Sequence, residues 1–154
     1  MNPTPVPGDG AAAASRPPIV LVVDDQPLNI QALYRALTPG HQVLVATHGV
    51  KAISICRESR PDIVLLDVVM PEMDGYEVLR ILRQDPATAN IPVIFVTARD
   101  AAEDESRGLA LGAVDFIGKP VNPPVLRARV STHVELARLR AQVAALRGSG
   151  RPDR

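Results

Sequence analysis

The chain has 154 residues, 46% apolar and 22% charged, with 17 basic and 17 acidic side chains, the size and balance of one globular domain. Its single cysteine excludes a disulfide scaffold, and aromatic residues at 3% with no Trp argue against stacking platforms for nucleic acid. Apolar runs are too short to span a bilayer and no basic-then-apolar leader opens the chain, so a cytoplasmic protein is expected.

Residues 1–18 hold five prolines and two glycines and little that can build a core, which predicts a disordered arm. Ile19 opens the β-branched run Ile19-Val20-Leu21-Val22-Val23, which stops at Asp24-Asp25. Shorter runs follow at 43–45, 63–66 and 93–96, with a weaker one at 114–117. Apolar runs without alternation suit strands buried on both faces of a parallel sheet. Between them lie helical patterns: Ile30, Leu33, Tyr34 and Leu37; Ile53 and Cys56; Val78, Ile81 and Leu82; and a weaker helix over 101–111 opened by Glu103, Asp104 and Glu105. A last helix starts near Pro123-Pro124 and runs to about Leu146, where Gly148-Ser149-Gly150 is expected to stop it.

Five alternating βα units predict a doubly wound α/β domain, for which 2-1-3-4-5 is a common strand order. Its ligand edge lies at the carboxyl ends of the strands. Strand 1 ends in Asp24-Asp25, strand 3 in Asp67 and strand 4 in Thr97, while Lys119 follows strand 5. Three carboxylates brought together repel, so one takes a proton or a cation enters. Oxygen ligands without His or Cys select a hard ion, with Mg²⁺ the best candidate. A carboxylate is also a nucleophile for phosphorus, and transfer to it is mostly positioning and charge neutralisation.

The motifs Val22-Val23-Asp24-Asp25, Leu66 to Gly75 (LDVVMPEMDG), Phe95-Val96-Thr97-Ala98 and Gly112 to Pro120 (GAVDFIGKP) stand in one order across residues 19–136. In these the chain resembles the receiver domain of two-component response regulators. The resemblance implies a flavodoxin-like receiver fold over 19–135, with phosphoryl transfer from a histidine kinase or phosphotransfer protein. It implies Asp67 as phosphoacceptor and Lys119 as the phosphate-binding lysine, with a cis Lys119–Pro120 bond. Asp25 would contact Mg²⁺ directly, Asp24 would act mainly through water, and the backbone carbonyl of Val69 would be a further ligand. Thr97 and Phe116 resemble the family's switch pair. Val69 and Arg99 occupy positions that affect phosphoryl lifetime in the family. The segment from Lys119 to His133 resembles receivers fused to cyclic-di-GMP phosphodiesterase (HD-GYP) or diguanylate cyclase (GGDEF) domains, so the chain reads either as a receiver excised from such a protein or as a stand-alone regulator.

Plainer readings stand beside these. Asp24-Asp25 also fits a helix cap ahead of Pro27. Cys56 reads as a small core hydrophobe, and His133 as a solvated helix residue rather than a phosphoacceptor. A flavodoxin-like cofactor binder needs a phosphate-cradling loop after strand 1, where this chain has Asp-Asp-Gln-Pro. A phosphatase with an Asp nucleophile would carry it after strand 1 and need an acid/base partner.

Charge is uneven: residues 19–118 hold 14 acids and 8 bases, and residues 119–154 hold 2 acids and 8 bases. Leu126, Val130 and Val134 are placed to cover the sheet. Leu136, Leu139, Val143 and Leu146 then step by heptad spacing, with Glu135 at g and Arg140 at e. Residues 136–147 are therefore a helical extension and candidate parallel coiled coil for a homodimer, followed by a flexible tail at 148–154. A basic coil flank explains the tail's charge without nucleic acid, which ranks low as a partner.

Overall fold

The computed structural model describes residues 16–98 and 102–150. The strands are β1 (Ile19–Val23), β2 (Gln42–Ala46), β3 (Ile63–Leu66), β4 (Val93–Thr97) and β5 (Asp115–Gly118). The helices are α1 (Pro27–Leu37), α2 (Gly49–Ser59), α3 (Gly75–Gln84), α4 (Ala102–Ala110) and α5 (Pro123–Gly150). All strand pairs are parallel and their order is β2-β1-β3-β4-β5, as expected from the alternating pattern.

The apolar runs lack alternation because both faces of the sheet are covered. Leu21, Val23, Val64, Leu66, Val93 and Phe95 point to one face, where Ala52, Ile53 and Cys56 of α2 and Val78, Leu79 and Leu82 of α3 pack on them. Val20, Val22, Ile63, Leu65, Ile94 and Val96 point to the other, under Leu33 and Leu37 of α1 and Leu126, Val130 and Val134 of α5. Each fully buried Val, Leu, Ile or Phe side chain among these contributes about 1.5–3 kcal/mol. Cys56 packs with them as a fully buried thiol.

Local chemistry sets the helix ends. Asp74 caps α3 by accepting the Glu77 N–H at 2.9 Å, and Asn122 accepts the Val125 N–H at 3.1 Å at the head of α5. α1 is different. Its N-cap is Gln26, without a side-chain cap, so neither aspartate caps it. Asp24 Oδ1 instead accepts the Gln26 N–H at 2.9 Å, turning the chain out of β1.

Three expectations need correction. α5 does not stop at Gly148 but continues to Gly150, because glycine in a helix costs only about 1 kcal/mol and does not forbid the helical conformation. His133 is not free in solvent: its Nε2 is 3.1 Å from Asp115 Oδ2, and its side chain is 18% exposed. Pro18 does not belong to a detached arm, since its carbonyl accepts the Gln42 N–H at 2.9 Å. The rest of the expected arm, residues 1–15, lies outside the described residues, as do Arg99, the tail from 151 and the side chains of Glu103 and Asp104.

Candidate functional site

Parallel pairing puts the carboxyl ends of β1, β3, β4 and β5 along one edge. Register pairs Val23 with Leu66, so Asp24 and Asp67 leave neighbouring strands at the same height. The Asp67 N–H donates to the Val23 carbonyl at 3.0 Å, and the Asp24 N–H to the Ala46 carbonyl at 3.2 Å. Both aspartates are buried, and Asp25 is half-buried beside them. One carboxylate oxygen from each of Asp24, Asp25 and Asp67 lies within 4.8 Å of the others.

Lys119 enters from the far strand. Its backbone N–H donates to the Thr97 carbonyl at 2.9 Å, and its bond to Pro120 is cis. Its Nζ donates to Asp24 Oδ2 at 2.7 Å and to Asp67 Oδ2 at 3.2 Å. Asp67 Oδ1 accepts the Val69 N–H at 3.2 Å. Thr97 is 1% exposed and lines the same cavity as Asp25, Asp67, Val69 and Lys119. Three carboxylates and one ammonium leave a formal charge of −2. An all-oxygen donor set of that charge fits a divalent hard cation.

The structure thus brings together Asp24, Asp25, Asp67, Val69, Thr97 and Lys119. Phe116 is set apart from the cavity: it is buried, with its ring centroid 6.3 Å from that of Phe95. Sequence reading missed Asn29, whose Nδ2 lies 3.4 Å from Asp24 Oδ1 and which also lines the cavity. Its place on α1, five residues after Asp24, was the available signal, but the helix was read through its apolar positions alone.

A family model described as the response regulator receiver domain matches residues 20–131. The chain belongs to the response regulator receiver domain family. A Vibrio cholerae protein described as a "Probable cyclic di-GMP phosphodiesterase" is 41% identical over 144 residues, which are 88% of this chain and 33% of that protein. Response regulator PleD of Caulobacter vibrioides is 45% identical over 112 residues, covering 72% of this chain and 25% of PleD. The chain therefore spans a third or less of either relative. Among solved structures, Vibrio cholerae chemotaxis protein CheY4 superposes with a TM-score of 0.71 at 29% identity, covering 75% of this chain and 97% of that one.

As a receiver domain, the chain is a phosphorelay component. Its acidic cluster is compatible with a divalent metal site. Among the described residues, no helix is long and apolar enough to cross a membrane.

Proposed function

We propose that Asp67 is the phosphoacceptor of this receiver, with Mg²⁺ as its metal. A carboxylate oxygen of Asp67 bonds to the donor's phosphorus. The bond to the donor's imidazole nitrogen breaks, its electron pair leaves with the donor, and an aspartyl phosphate remains. The observation that carries this reading is the cluster of three carboxylates, two of which, Asp24 and Asp67, share Lys119 Nζ.

Asp25, Asp67 and the Val69 carbonyl would hold the metal, which when bound supplies positive charge beside the phosphoryl oxygens. Asp24 would act mainly through water, because its oxygens already serve Lys119 and the Gln26 N–H. Lys119 would move from the carboxylates to a phosphoryl oxygen, and the Thr97 hydroxyl would donate to another. Phe116 would follow Thr97, altering the face formed by α4, β5 and α5. Beryllofluoride, a phosphoryl mimic, tests this step. It should shift the NMR resonances of Phe116 and its surroundings, and unchanged resonances in the loaded protein refute the switch.

Acetyl phosphate labelling tests the site itself. Label should appear only with Mg²⁺, at one equivalent, and vanish in Asp67→Ala. Labelling of Asp67→Ala to the wild-type extent refutes the assignment. Turnover of added phosphoesters would favour a phosphatase instead.

Two further readings complete the proposal. Leu136, Leu139, Val143 and Leu146 are 39–70% exposed on α5 and form the heptad face for a second copy in a parallel homodimer. The regulated output is cyclic-di-GMP turnover in a separate domain, supported by the description of the Vibrio cholerae relative.

A further inference from the structure

Phe95 is held at two opposite edges by glycines. A Cβ built on Gly75, at the head of α3, would lie 3.0 Å from Phe95 Cε1 and 2.3 Å from the Asp67 carbonyl oxygen. A Cβ built on Gly108, inside α4, would lie 2.8 Å from Phe95 Cδ2 and 2.9 Å from Cε2. Side chains do not approach so closely, so both seats require glycine. The remaining surroundings of the ring include two more aromatics, Tyr76 at 5.4 Å and Phe116 at 6.3 Å between centroids. Phe95 itself is fully buried. With α3 on one edge and α4 on the opposite one, the buried ring spaces α4 from the Asp67 backbone.

α4 is also joined to the pocket wall by a short stretch of chain. Thr97 and Ala98 line the pocket, and α4 begins at Ala102. We infer that Phe95, clamped between Gly75 and Gly108, is the positioning residue that sets α4 and, through it, the Thr97–Ala98 wall for phosphoryl binding. The Gly108 seat acts on the pocket at a distance, touching neither metal nor phosphate. Displacing α4 should therefore weaken phosphoryl binding while the carboxylates and Lys119 stay intact. A packing clash of this kind is relieved by shrinking its partner.

The test uses Gly108→Ala, Phe95→Leu and their combination, with Leu109→Ala as a control on an exposed face of the same helix. Gly108→Ala favours the helix by propensity, so its effect is not loss of helix. In metal-free protein, the Gly75 amide resonance should move in Gly108→Ala, stay in Leu109→Ala and return toward the Phe95→Leu position in the double variant. With Mg²⁺, beryllofluoride affinity should fall about fivefold or more in Gly108→Ala. It should recover in the double variant to within about twofold of Phe95→Leu. An unmoved Gly75 resonance, or an affinity loss that Phe95→Leu does not relieve, overturns the inference. The binding readout rests on the proposed role of Asp67, whereas the metal-free resonance does not. A wild-type chain that fails to bind beryllofluoride would thus refute that role while leaving the seat testable.

Discussion

Lys119 Nζ stands 2.7 Å from Asp24 Oδ2 and 3.2 Å from Asp67 Oδ2, so one ammonium serves carboxylates delivered by two different strands. The three side chains are 16%, 1% and 8% exposed, and so little water is left to screen them. Lys119→Met should leave the carboxylates facing one another and lower stability by about 1–3 kcal/mol in EDTA. Mg²⁺ should restore more stability to the variant than it adds to the wild type, because it replaces the missing positive charge. Urea titrations with and without Mg²⁺ measure both effects. Equal Mg²⁺ gains in the two proteins would count against a shared charge balance.

Burial pushes the Cys56 thiol up to about 12 from an ordinary value of 9.0, with nearby Arg83 opposing the shift. The folded protein thus holds a neutral thiol where the unfolded chain would ionise. The stabilising contribution is whole below pH 9 and is lost progressively as pH rises toward 12. At pH 8, a thiol reagent should label native protein only at the rate of unfolding and label one equivalent at once in denaturant. Rapid native labelling would show that the thiol is accessible.

Arg60 closes α2 in the left-handed region, at φ 46° and ψ 66°, with its N–H on the Cys56 carbonyl. A side chain is strained there, and this one is exposed. Arg60→Gly should stabilise the fold by about 0.5–1 kcal/mol. Calorimetry should show a Tm about 1–4 °C higher. A lower Tm would mean that the arginine makes a contact worth more than the strain.

The strand ends were the most legible part of the sequence. Val23 and Leu66 end apolar runs, and a charged residue follows each, so both the buried sheet and its reactive edge could be read from one pattern. The pairing of polar groups across long separations could not. His133 looks solvated among Ser131, Thr132 and Glu135, yet it meets Asp115 eighteen residues earlier in the chain. Asp115 also takes Arg129 at 3.2 Å, fixing α5 to the start of β5. The seat of Gly108 on Phe95 was equally invisible, because a glycine inside a weak helix reads as a defect until the ring beneath it is located.

The heptad face makes a prediction of its own. Leu139 is 49% exposed and central to the apolar face, so Leu139→Glu places a charge where the second copy would pack. Light scattering over a concentration series should show association in the wild type and its loss in the variant. A wild type that stays monomeric at high concentration, with and without beryllofluoride, would remove the dimer.

α5 has two apolar sides beyond Val134. Leu136, Ala137, Ala141 and Ala144 line a crevice with Arg83, Asn90 and Gly112 of the domain, while Leu139, Val143 and Leu146 lie outside it and are exposed. The 28-residue helix is about 42 Å long and unbroken from Pro123 to Gly150. It therefore transmits rotation as a shaft does. One residue inserted between Leu136 and Leu146 turns everything beyond it by about 100°, whereas seven residues bring it round to nearly the same bearing. Spacer length in this segment is thus an angular setting, and signalling through it should vary with helical phase rather than with distance.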